Sequence, residues 1–185
     1  MKSKSASASG AGPTGPATSA AITAPEGAPP APSAIDLIIE KYGDLVYDLC
    51  ESILWGSQGS QVVLRSIFRE LKAEHKFNRY AQHERAWVLH VACERLRDVS
   101  REHARKITAS EQLQLDASAK SADRLKQFDS YFHRLAVNDQ MVLLLRDKYG
   151  LPYSEIAAIL STPEGSLKIR RQQALRTLED WIWGE

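Results

Sequence analysis

The residues of this sequence best suited to chemistry lie close together near its C-terminal end. Residues 153–160 carry apolar side chains on one face of a short predicted helix. After a tight break, Thr162 can cap a second helix, Pro163 suits its first position, and Glu164 complements the positive end of its dipole. Two short helices across such a break have the layout of a helix-turn-helix.

The second helix of this pair is basic, since no acid occurs between Gly165 and Leu178. Its cations can bind phosphate, and its Arg and Gln side chains can reach base edges in a major groove. The predicted DNA-binding residues here are Thr162, Glu164, Ser166, Lys168, Arg170, Arg171 and Gln172. The alternative is a helical hairpin with a solvated basic face.

Arg171 does not fit the pattern of this helix. Leu167, Ala174 and Leu178 define an inward stripe at i, i+7 and i+11, where residue i+4 would normally be apolar. Either Arg171 extends its charged head out of the stripe, or the helix rotates to use Leu175. The face that meets DNA depends on which of the two occurs.

Composition limits the function classes. A net charge of +1 is too small for a protein that coats nucleic acid, so DNA binding must come from local clusters. The two cysteines and five histidines lack the spacing of a metal site. No phosphate loop, nucleophile elbow or catalytic carboxylate pair occurs either. We therefore expect no metal, no cofactor and no enzymatic activity.

The apolar periodicity predicts an all-α fold of two small helical domains joined by a flexible linker, the C-terminal one a helix-turn-helix. Residues 1–33, rich in Ala, Pro, Ser and Gly, are expected to form a disordered tail. Three helices are predicted in 34–106, from 35 to 55, around 63–71, and from 84 to about 103. Residues 107–123 form the linker, and 124–185 form the second domain, in which Asn138 can cap a helix over 139–148.

No targeting or membrane signal is apparent. The apolar residues between Ser5 and Ala21 are interrupted by Gly and Pro, unlike a secretory signal, and no apolar run reaches 18 residues. We expect a soluble protein of the cytoplasm.

Three stretches carry a family resemblance. The run from Leu143 to Ala157, continuing without a gap to Leu178, and the segments Tyr42–Tyr47 and Arg85–Asp98 are similar to the extracytoplasmic-function sigma factors of bacterial RNA polymerase. The resemblance covers residues 36–106 and 125–183. It implies an alternative sigma factor that directs polymerase to specific promoters, with core RNA polymerase and promoter DNA as partners and an anti-sigma protein as a further candidate.

The resemblance also implies roles for both domains. The last long helix would read the −35 element. The −10 element would be contacted by Phe77, Arg79 and Tyr80 in a loop and by Arg97 and Arg101 on the third helix. The alternatives are a loop whose aromatic rings cover the core and an arginine face that is only solvated. Core polymerase would be bound by Gln61, Leu64, Arg65 and Phe68.

The polymerase-binding helix departs from the family pattern. The family carries an acidic run there, whereas this chain has no acid between Trp55 and Glu70. Loss of that charge weakens complementarity to a basic polymerase surface. The alternative function is therefore a sigma-like DNA-binding regulator, or an anti-sigma decoy, that no longer binds core polymerase. The terminal Trp181–Trp183 segment is expected to pack against the helix-turn-helix, the alternative being an exposed partner-binding patch.

Overall fold

Seven α-helices make up the part of the chain that the computed structural model describes, which is residues 33–54, 59–73, 83–106, 113, 117 and 124–183. No strand occurs among these residues, so the all-α prediction is confirmed. The helices are α1 (Ala34–Ile53), α2 (Ser60–Ala73), α3 (Glu84–Lys106), α4 (Arg124–Arg134), α5 (Val137–Leu143), α6 (Tyr153–Leu160) and α7 (Glu164–Trp183). A π-helical turn, Leu144–Lys148, continues α5.

Local signals set several helix ends. Ser33 and Asp36 form a capping box at the start of α1, in which the Ser33 backbone N–H donates to Asp36 Oδ2 at 2.9 Å. Gly150 has a φ of 69°, which glycine adopts at no steric cost, and it ends the π-helical turn. Ser161 closes α6 in the left-handed conformation with a φ of 50°.

Two predicted caps are wrong. Helix α5 begins at Val137 after Ala136, and Asn138 accepts a hydrogen bond from Arg97 Nε at 2.8 Å instead of capping. The Thr162 hydroxyl donates to the Leu160 carbonyl at 3.0 Å, and α7 begins at Glu164, one residue later than predicted. In both places a nearby acceptor or donor competes successfully for the short polar side chain.

The apolar side chains of all seven helices form one continuous core. Helices α1, α2 and α3 pack together through Val46, Leu49 and Ile67, which are fully buried. Met141 and Ile156 are fully buried in the part formed by α4 to α7. Helix α3 packs directly against α6, so the core runs without interruption from one helical set to the other.

Polar contacts surround this junction, and we call them the seam. Arg85 of α3 donates from Nε and Nη2 to both oxygens of Glu155 of α6, at 2.7 and 2.5 Å. His90 Nδ1 lies 2.7 Å from the carbonyl oxygen of Ile159. On α1, Asp48 accepts from Lys148 and Tyr149. The two helical sets therefore meet through charged and neutral hydrogen bonds as well as apolar packing.

The domain boundaries stay a prediction, because nearly all of the 107–123 linker and of the 1–33 tail lies outside the described residues. Within the described helices, none is long and apolar enough to cross a bilayer.

Candidate DNA-binding surface

Helices α6 and α7 form the predicted helix-turn-helix. The buried side chains of Ile156 and Ile159 anchor α6 to the core, and the left-handed Ser161 turns the chain sharply before α7. The Thr162 backbone N–H donates to the Ala157 carbonyl at 3.1 Å, which closes the turn. This places α7 across α6 as the helix available to a DNA groove.

The inward stripe of α7 is confirmed. Leu167, Ala174 and Leu178 are only 1%, 3% and 4% exposed. At about 100° per residue, the opposite side of the helix is centred on Ile169 and Arg176, with Gly165 and Gln172 beside them. All four residues are exposed. They form the outward face of α7.

Two predicted DNA contacts, Arg170 and Arg171, lie beside the buried stripe. Arg170 Nη1 donates to Asp139 Oδ1 at 2.8 Å. Arg171 forms a bidentate pair with Asp147, at 2.7 to 3.0 Å, and these hydrogen bonds raise the pKa of its guanidinium. Arg171 therefore directs its head out of the stripe to an acid of the π-helical turn, and the helix has no need to rotate toward the half-buried Leu175.

The other predicted residues of this segment lie around the first turns of α7. Glu164, Ser166, Lys168 and Gln172 are exposed, whereas Thr162 is half-buried. The Lys168 ammonium lies 5.5 Å from the centroid of the Tyr153 ring, which Arg146 also approaches, at 5.0 Å. Lys168 thus stands on the flank of the helix, where a cation can meet a phosphate.

Residues predicted to contact the −10 element divide into two groups. Phe77, Arg79 and Tyr80 lie outside the described residues. Arg97 and Arg101 of α3 line a cavity of about 240 Å³ together with Thr162 and Arg170. Arg97 is largely buried and hydrogen-bonded to Asn138, Glu94 and the Leu160 carbonyl, while the exposed Arg101 pairs with Asp98 at 3.3 Å. In this arrangement Arg97 joins α3 to the helix-turn-helix.

The predicted polymerase-binding residues share one face of α2. Gln61 and Arg65 are exposed, and Leu64 and Phe68 are half-buried, because this face lies beside the buried stripe of the helix. At the other end of the chain, the Trp181 ring packs against Tyr131 with a centroid distance of 5.9 Å, while Trp183 is 67% exposed. Within the terminal segment, Trp181 therefore packs against α4, whereas the side chain of Trp183 is exposed.

Ile169 is the residue that the sequence reasoning missed. Its 59% exposure follows from its register, two residues after the buried Leu167, which was already visible in the sequence. Asp139 and Asp147 pair with Arg170 and Arg171. These two acids could not be identified from the spacing of residues within α7, because they belong to other elements.

No group of His, Cys, Asp and Glu side chains suited to a metal ion occurs within the described ranges. Cys50 and Cys93 are buried, and burial raises the pKa of each thiol to about 12. Neither cysteine is therefore poised for reaction at neutral pH.

Comparison with known proteins agrees with this geometry. Residues 125–178, which run from α4 to near the end of α7, match the family model of sigma-70, region 4. No curated protein matches the sequence. The matched segment contains α5, α6, the turn and α7 as far as Leu178. Residues 125–178 therefore form a domain of the sigma-70 region 4 family.

Proposed function

We propose that the protein is an alternative sigma factor of the extracytoplasmic-function type, acting in the cytoplasm. Its region 4 domain would read the −35 element, and residues 34–106 would bind core RNA polymerase and the −10 element. The observation that carries this proposal is the outward face of α7, which is exposed on a helix-turn-helix that matches region 4. The role is binding rather than catalysis, with an anti-sigma protein as a candidate regulator.

The seam sets a requirement on this function. The −10 and −35 elements are separated by about 25 base pairs, or roughly 85 Å at 3.4 Å per base pair. Helices α3 and α6, one from each helical set, are in direct hydrogen-bond contact through Arg85 and Glu155. One molecule cannot hold this contact and reach both elements. The two helical sets must therefore separate when the protein is loaded on a promoter.

Reconstituted transcription tests the proposal. The full chain is mixed with core RNA polymerase and a library of promoter fragments, and run-off transcripts are sequenced. We expect transcripts that start at a defined distance from a shared −35 sequence and that disappear with Gln172→Ala. Glu179→Ala, which removes an exposed side chain of α7 beyond the residues predicted to meet DNA, is the control and should leave transcription unchanged. Polymerase binding without any specific transcript would contradict the proposal.

The alternative function is a DNA-binding regulator, or an anti-sigma decoy, without polymerase engagement. The surface of α2 favours this alternative, because its exposed Gln61 and Arg65 offer no negative charge to a basic partner surface. In that case the wild-type chain should fail to bind core polymerase while it still binds DNA or an anti-sigma protein.

Added carboxylates separate the two functions. Under the alternative, Gln61→Glu with Arg65→Glu should create polymerase affinity that the wild type lacks. The control pair, Gln61→Asn with Arg65→Gln, alters the same side chains without adding a carboxylate and should have no such effect. If the wild type already binds polymerase tightly, the alternative is excluded.

A further inference from the structure

Ile169 occupies an unusual place for an apolar side chain. Single exposed apolar residues are common on protein surfaces and need no explanation. Ile169, however, lies opposite the buried stripe of α7, about 200° from Leu167 and 180° from Leu178. It is 59% exposed at the centre of the face that a helix-turn-helix presents to DNA.

The surroundings of Ile169 leave this apolar side chain free to meet a base. Arg170, its neighbour in sequence, is directed away to Asp139. Gly165, one turn earlier on the same face, has no side chain, and a Cβ built there would meet nothing within 4 Å. The helix can therefore approach a groove closely on this side, where Ile169 is the apolar group of the outward face.

The chemistry of the major groove supplies one apolar partner for such a group. Thymine alone among the four bases carries a C5-methyl group at the groove surface. Adenine presents a donor and an acceptor that suit the amide of Gln or Asn. Gln172 follows Ile169 by three residues, so the two side chains are neighbours on the helix surface, with a rise of about 4.5 Å between them.

We propose that Ile169 packs on the C5-methyl group of a thymine in the −35 element and that Gln172 bonds adenine of the same or the adjacent base pair. The rise between the two residues is close to the spacing of about 3.4 Å between base pairs, so one A·T pair or one step accommodates both. Region 4 would thus select A·T at the position facing the second and third turns of α7. This inference rests on the proposed reading of DNA by α7.

Replacement of thymine by uracil tests the contact, because it removes only the methyl group. A duplex is first selected from a random 20-base-pair library by binding to the full chain, and each of its thymines is then replaced in turn by deoxyuridine. For the wild type we expect one position at which uracil weakens binding about four-fold, the effect of burying one methyl group. With Ile169→Ala, thymine and uracil should bind equally there.

Two further variants make the test specific. Ile169→Val keeps a branched apolar group and should retain part of the preference for thymine, while Leu37→Ala of α1 should retain all of it. Thermal unfolding should be the same for Ile169→Ala and wild type, since the side chain is exposed.

The outcomes distinguish this inference from the proposed function. If a duplex is selected but uracil is tolerated at every thymine, or if Ile169→Ala keeps every uracil penalty, the methyl contact is refuted while DNA binding stands. A selected duplex without an invariant A·T pair also refutes it. If the library yields no enriched duplex, direct DNA reading by the chain fails, and the inference fails with it.

Discussion

The hydrogen bond between Tyr149 and Asp48 offers a quantitative test of the seam. The Tyr149 hydroxyl donates to Asp48 Oδ2 at 2.7 Å, and burial together with the neighbouring carboxylate raises the pKa of Tyr149, which keeps the hydroxyl protonated. Tyr149→Phe removes this donor and keeps the aromatic ring. The partner carboxylate also accepts from Lys148 at 2.8 Å.

The loss of unfolding free energy expected for Tyr149→Phe follows from the charge of Asp48 and from the exposure of the pair. A hydrogen bond to a charged group contributes about 1.5–3 kcal/mol when it is protected from water. The Asp48 side chain is 46% exposed, so solvent screening reduces this contribution. We therefore expect Tyr149→Phe to lower the free energy of unfolding by about 1 kcal/mol, mostly through its coupling to Asp48.

A double-mutant cycle measures that coupling. Urea unfolding of wild type, Tyr149→Phe, Asp48→Ala and the double variant isolates the pair, and Tyr47→Phe on the exposed side of α1 serves as control. Partial burial of Asp48 opposes its ionisation, but the hydrogen bonds from Lys148 and Tyr149 prevail and lower its pKa.

The pH dependence of the coupling follows from that direction. The coupling energy between Tyr149 and Asp48 should be complete at pH values above about 3.9, the pKa of an aspartate in the unfolded chain. It should be lost as the pH falls through the lower pKa that Asp48 has in the folded protein. A coupling energy under about 0.3 kcal/mol at pH 7 would refute the assigned hydrogen bond, and one that does not weaken at low pH would refute the contribution of the Asp48 charge.

Three further predictions address other parts of the molecule. Arg171→Leu removes the exposed pair with Asp147, so we expect the free energy of unfolding to change by less than about 1 kcal/mol, with base preference in duplex selection unchanged; altered preference would make Arg171 a reading residue. Proteolysis within 107–123 should yield two fragments that elute together in size-exclusion chromatography, because they share one core; separate elution would contradict the packing of α3 on α6. Cys50 and Cys93 should react with a thiol reagent at pH 8 no faster than the protein unfolds, since burial raises the pKa of both thiols; rapid labelling would show that a thiol is accessible.

The sequence by itself determined the helices and the architecture of the site. Helical periodicity is a local property, so the apolar spacing in α7 was sufficient to predict its buried stripe and, with it, the opposite face on which Ile169 lies. The short break between α6 and α7 likewise predicted the helix-turn-helix. Helix ends were less well determined, as the caps assigned to Asn138 and Thr162 show, because a short polar side chain has several partners within reach.

Only the tertiary structure decided what each charged side chain does. The sequence assigns Lys168, Arg170 and Arg171 alike to DNA, yet Asp139 of α5 and Asp147 of the π-helical turn hold both arginines beside the core and leave the lysine on the flank. The packing of α3 on α6 was equally hidden, since it depends on apolar surface contributed by segments some 70 residues apart. Long-range partners are chosen by the packing of whole helices, and no local spacing in the sequence encodes that choice.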